Sequence, residues 1–238
     1  MATVIGTPKE RKRPKPPKPN VRLVESDGVP LESFWHQVQI ILLADVVNVR
    51  YDQRQDFFAG GNMFIYFNVE QARNRDFRGP DFFFVNGVNR MPVRKWWAVW
   101  DEGGRYPDLI IELLSESPAQ EDRTTKKAIY EKTFRTPEYY CFDPDTKRLE
   151  GWRLNAKLRY QPLKSNDKGW LWSEELDCWL GTWEGGYAGV PGTWLRFFDK
   201  QGRLLPSKAE LESARWQSAE AEVARLKAKL AELEKKTK

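Results

Sequence analysis

The sequence predicts an α/β fold, a central sheet flanked by helices, extended by a C-terminal coiled-coil helix. Three observations predict it. The run LIIELL at Leu109–Leu114 is almost continuously apolar, as in a strand covered on both faces. A helical pattern over 120–134 follows, then strand patterns at Tyr139–Phe142 and Leu149–Leu154. Strand, helix and strand in that order suggest a crossover onto one sheet. Finally, Trp216, Ala219, Val223, Leu226, Leu230 and Leu233 alternate at spacings of three and four, with Lys, Glu and Arg between them.

The other elements follow in chain order. Residues 1–20 mix Pro and Lys without periodic apolar positions, so they predict a disordered basic arm. From Glu32 to Val47, the residues Phe34, Trp35, Val38, Ile41, Leu42, Ala44 and Val46 form a broad helical stripe. His36 on this helix reads as a packed or surface residue. Met63–Phe67, Phe82–Val85 and Lys95–Trp100 are aromatic and β-branched runs bounded by Gly, Asn or Pro, and predict short strands. Trp96, Trp97 and Trp100 should cover the sheet. DPDTK, from Asp143, marks a turn. Arg159–Pro162, Trp170–Trp172 and Thr193–Phe198 are β-like pieces between Gly-rich turns and are assigned to the same domain. The predicted organisation is thus an arm over 1–20, a body over 21–206 and a coiled coil over 207–238. The helical tail would either pair with another strand or dock on the body, because three heptads are weak alone.

Composition narrows the function classes. Of 238 residues 40% are hydrophobic and 13% aromatic, enough for a core. No apolar run approaches the roughly 18 residues of a membrane span, and the N-terminus carries no apolar signal core. A soluble, cytoplasmic protein is expected. Cys141 and Cys178 are too few for a disulfide framework or a structural zinc site, so with one histidine a metal must be held by oxygen. The net charge of +5 sits in the arm, where six basic residues face one acid. Between residues 21 and 206 there are 25 basic and 27 acidic residues. That balance permits a nucleic-acid partner without arguing for one.

Glu112 interrupts LIIELL, and a carboxylate there costs several kcal/mol to bury unless a cation or donors compensate. An edge position or a salt bridge to an arginine is the bland explanation. A second carboxylate, Asp81, opens the strand in GPDFFFV. On the following helix Asp122, Lys126 and Tyr130 are spaced by four and share a face. Two acids on neighbouring strands suit Mg²⁺, and a lysine nearby can neutralise developing charge or orient water. Asp108 in the second Pro-Asp dipeptide could be a ligand, but a turn or strand cap explains it better. Cys141, inside YYCF, reads as a small buried residue.

PDLIIELLSES, then D-x-x-x-K-x-x-x-Y over Asp122–Tyr130, then PEYYCFDPD, resembles the Uma-type restriction-endonuclease-like family of the PD-(D/E)XK nuclease-like superfamily. The resemblance runs from about Glu32 to Pro206. It implies a restriction-endonuclease-like core, a mixed sheet flanked by helices in the order helix, three strands, helix, strand. Matched by position, it makes Asp81 the first acid and Glu112 the second, both holding the metal, with Lys126 the catalytic lysine. Glu32 becomes an auxiliary acid, and Asp108 and Tyr130 are further auxiliary candidates. Where the usual E-x-K pattern has lysine, this chain has Leu114, so the charge must arrive from the helix. Lys127 is the decoy beside Lys126. The expected function is hydrolysis of nucleic-acid phosphodiesters, DNA ahead of RNA, with Mg²⁺ or Mn²⁺. No membrane is involved, and the coiled coil would join copies into a homo-oligomer. The rival is a noncatalytic scaffold that assembles through that coiled coil.

Overall fold

Ser33 caps helix α1, Phe34–Arg50, by accepting the amide of His36 on its side-chain oxygen at 3.1 Å. The computed structural model describes residues 20–21, 23, 33–74, 79–114 and 122–236. Residues 1–19 of the predicted arm, and Glu32, lie outside the described residues.

A six-stranded sheet organises the body. Its strands are β1 (Phe57–Gly60), β3 (Phe82–Asn86), β5 (Leu109–Leu113), β6 (Glu138–Asp143), β7 (Arg148–Leu154) and β8 (Tyr160–Pro162), adjacent in that order. Only β5 and β6 pair in parallel; the other neighbours are antiparallel. The crossover predicted between them is a helix, α3, over residues 122–134. It winds as a π-helix over Asp122–Lys126, an α-helix over Lys127–Ile129 and a π-helix again over Tyr130–Phe134. Arg135, with a left-handed φ of 53°, ends it by donating its amide to the Tyr130 carbonyl. A two-stranded pair, β2 (Ile65–Tyr66) and β4 (Trp97–Ala98), and a short helix α2 (Val69–Arg73) complete this side. The strand predicted over Lys95–Trp100 shrinks to two residues.

Alternation along the strands divides the core in two. Phe82, Phe84, Leu109, Ile111, Leu113, Tyr140 and Phe142 face α1 and a second, three-stranded sheet. That sheet comprises β9 (Leu171–Ser173), β10 (Cys178–Tyr187) and β11 (Val190–Phe198). Phe83, Val85, Ile110, Leu114, Tyr139 and Cys141 face α3 and β2–β4. The α1 stripe is shifted from its prediction: Ile41 and Phe34 are exposed, while Ile40, Leu43 and Val47 are buried. Gln39, also buried, exchanges two hydrogen bonds with the Leu195 backbone, at 3.0 and 2.8 Å, and ties α1 to β11. Strand β10 is a correction to the sequence reading, which left this stretch as turns. Its glycines hide it: a Cβ on Gly181 would lie 2.1 Å from the Trp170 ring, so the residue that spoils the strand pattern is the one packing requires.

The C-terminal helix α4 spans Lys208–Lys236. Ser207 and Glu210 form a reciprocal cap, and the Glu210 carboxylate also takes both terminal nitrogens of the fully buried Arg196, at 3.0 and 2.7 Å. Beyond this anchored first turn the helix does not dock: Trp216, Val223, Leu226, Leu230 and Leu233 are each half or more exposed. Of the two expectations for the tail, packing on the body is therefore excluded. A second strand enters only as a proposal.

Candidate functional site

Glu112 shares its parity with Ile110 and Leu114, so its side chain enters the layer between the sheet and α3. It is fully buried, in the middle of the sheet, so an edge position does not explain it. Its Oε1 accepts the Tyr130 hydroxyl at 2.8 Å. Its Oε2 lies 3.4 Å from the Lys126 Nζ and 3.4 Å from the Asp81 amide. Lys126 ends the first π-helical stretch and Tyr130 begins the second, and this i→i+5 winding, common at functional sites, brings both onto one acid. Lys127 turns elsewhere. Its ammonium sits 3.7 Å over the Trp152 ring, and burial lowers its pKa.

Asp81 reaches the same place along a different strand. Phe82 pairs with Ile111 across β3 and β5, so continuing the antiparallel register by one residue sets Asp81 opposite Glu112. The Leu113 amide donates to Asp81 Oδ2 at 2.7 Å. From the other side of the sheet His36 brings Nε2 to 2.8 Å from Oδ1, an ion pair when the ring is protonated. The backbone is clamped as well. The Asn62 amide is shared between the Pro80 and Asp81 carbonyls at 3.1 and 3.2 Å. A Cβ on Gly61 would lie 1.7 Å from the Asp81 carbonyl oxygen, so only glycine allows this approach.

Around Glu112 of β5 the fold thus gathers Asp81, Lys126, Tyr130 and His36; of these five, all but His36 were anticipated from sequence. The match with known families is now informative. A family model described as "Putative restriction endonuclease", Uma2, matches residues 12–182. The chain belongs to the Uma2 family. Among curated proteins none matches it. It is similar to the crystal structure of a putative nuclease belonging to DUF820 from Anabaena variabilis ATCC 29413. That protein is 15% identical, with a TM-score of 0.45 over 62% of this chain and 76% of the other.

Not every candidate joins the Uma2 site. Asp108 sits at the opposite end of β5, where its carboxylate accepts the Asn86 amide at 2.6 Å. It caps the end of β3, and burial raises its pKa. Four residues of strand, roughly 13 Å, separate it from Glu112, and its contact is the strand cap that the sequence favoured over a ligand. Glu32 lies outside the described residues. Asp122 opens α3, and its side chain is likewise outside them. His36 is the participant that sequence reasoning missed. A faint signal was present: Ser33 followed three residues later by His36 fits a helix start, which aims the first turn at whatever the helix packs on. Gly61 had no signal at all, because its partner is distant backbone.

Among the described residues no three His, Cys, Asp or Glu side chains form a group able to hold a metal ion. Among the described residues the oxygen donors here are the two carboxylates. Oxygen-only donation by one or two acids, with water completing the shell, is the habit of Mg²⁺ and not of zinc. A cation shared by Asp81 and Glu112 would compete with His36 for Oδ1 and with Lys126 for Oε2. In chemical terms the donor set fits a hard, weakly held, largely hydrated ion.

Proposed function

We propose that this chain is a Mg²⁺-dependent endonuclease that hydrolyses phosphodiester bonds of nucleic acid, DNA ahead of RNA. One observation carries the reading: a fully buried glutamate at the centre of the sheet faces a lysine from α3 and the aspartate that precedes β3. Family membership supports it. Mg²⁺, when bound, supplies charge stabilisation at a phosphoryl oxygen and a water of lowered pKa. The residues do the rest. Leu113 and His36 hold Asp81 in orientation, and Tyr130 holds one oxygen of Glu112, so that the other faces residue 81. Lys126, about a quarter exposed at its side chain, can reach both Glu112 and an incoming phosphate. Its ammonium neutralises charge that develops on the phosphoryl group, or orients the attacking water.

The test is cleavage of DNA and RNA substrates by the purified protein with Mg²⁺ or Mn²⁺. Chelation should stop turnover. Asp81→Asn and Glu112→Gln should each remove most of it, at least about 100-fold, while calorimetric titration shows weakened Mg²⁺ binding. Cleavage that survives both substitutions would place the activity elsewhere. A folded, metal-binding protein that cleaves nothing would support the noncatalytic scaffold.

A further inference from the structure

We propose that α4 joins two copies of this chain as a parallel two-stranded coiled coil over residues 215–234. The inference is independent of whether the site cleaves anything. The helix is 29 residues long, about 43 Å at ~1.5 Å per residue, and its first turn is pinned to the body by Arg196 and by Asp45, which accepts the Lys208 amide at 2.8 Å. Every described side chain from residue 212 onward is exposed. A three-heptad helix with an open apolar stripe is marginal in water, so a second strand that buries the stripe is the natural source of stability.

The charge pattern selects the occupant. With Trp216, Val223 and Leu230 at position a, and Ala219, Leu226 and Leu233 at d, the g positions are Arg215, Glu222 and Lys229. The e positions are Glu220, Lys227 and Glu234. In a parallel pair each g residue meets the e residue five positions later on the partner helix. Arg215 then meets Glu220, Glu222 meets Lys227, and Lys229 meets Glu234. All three pairs are opposite in sign, and symmetry repeats each of them. The helix is complementary to itself in register, which an unrelated partner surface has no need to be. Glu222 also bonds Arg225 on its own helix at 3.1 Å, an exposed pair of little weight that leaves it available at the seam.

Light scattering on the full chain at micromolar concentration should give twice the chain mass. Two charge reversals make the test specific. Glu222→Lys alone sets lysine against lysine, and Lys227→Glu alone sets glutamate against glutamate, so each variant should be largely monomeric. Mixed together, they restore both opposite-charge contacts and should form a one-to-one dimer. Ala219→Cys at a d position should cross-link to itself on oxidation, whereas Ser218→Cys on the outer face should not; Cys141 and Cys178 are buried and stay silent. All substitutions are on exposed helix, and circular dichroism should find the body unchanged. A monomeric full chain overturns the proposal. So does a dimer that ignores the charge reversals or fails to cross-link at 219, since either outcome requires another surface or an antiparallel pair.

Discussion

Two buried glutamates stand on adjacent strands of one sheet, and they are solved differently. Glu138, at the start of β6, is almost wholly enclosed. It accepts two nitrogens of Arg153, at 3.0 and 2.7 Å, together with the Ser173 and Tyr140 hydroxyls and the Glu174 amide. Arg153 is its direct cross-strand partner in β7. This is a saturated structural network, with both guanidinium nitrogens on Oε1 and the two hydroxyls on Oε2. Glu112 meets the single-point ammonium of Lys126 at 3.4 Å, the Tyr130 hydroxyl at 2.8 Å and the Asp81 amide at 3.4 Å, beside another acid held by a histidine. Burial alone therefore does not mark a site. What distinguishes Glu112 is a flexible, partly exposed cation that can leave it and a second carboxylate next door.

The largest effect expected from this contrast is on stability. Arg153→Ala removes the cation from Glu138 and strands a charge inside the protein, so it should cost about 3–5 kcal/mol. Chemical denaturation measures it. Glu112→Gln should cost far less, because the amide oxygen still accepts from Tyr130 and Lys126 can turn to water. Equal losses for the two variants would erase the distinction between structural and functional glutamates.

The same contrast explains what could be read from sequence. Glu112 was visible because it breaks an apolar run, and Lys126 and Tyr130 because helical spacing puts them on one face. The strand, helix and strands of 109–154 were legible for the same reason, since periodicity survives without tertiary detail, whereas β1 was not read and the order of the core came only from the family resemblance. Glu138 gave no such contrast, sitting at a strand start after Pro137, where an acid is unremarked. His36, Gly61 and strand β10 escaped because their roles depend on a distant partner: Asp81, the Asp81 carbonyl and Trp170. Local pattern carries no information about such encounters. The coiled-coil stripe was legible, but its exposure was not, since a docked helix has the same periodicity.

A smaller effect should appear with pH beside Glu138. Glu175 is half-buried, and burial together with Asp108, Glu138 and Glu174 pushes its pKa up to about 7. A carboxyl whose pKa is raised on folding binds its proton more tightly in the folded state. Stability therefore falls as pH rises from the unfolded value toward and through 7. Glu175→Gln should remove this dependence, making the variant more stable than the parent at pH 8 and nearly equal to it at pH 4. Thermal melts across that range check the sign. Parallel curves for the two proteins would mean that water screens the cluster.

The smallest effects separate two neighbouring lysines. Lys126→Ala leaves Glu112 without its nearest ammonium and should cost about 1–3 kcal/mol. In a cleavage assay the rate should also fall, on the order of 100-fold. Lys127→Ala loses only the contact over Trp152, worth under about 1 kcal/mol at a partly exposed ring, and should leave the rate unchanged. Because the two residues are adjacent on one helix, general damage to α3 would lower both rates together. A selective loss at Lys126 ties the chemistry to the ammonium that faces Glu112. If the rate falls at Lys127 instead, the catalytic face of α3 is the one turned toward Trp152, and Glu112 joins Glu138 as a structural acid.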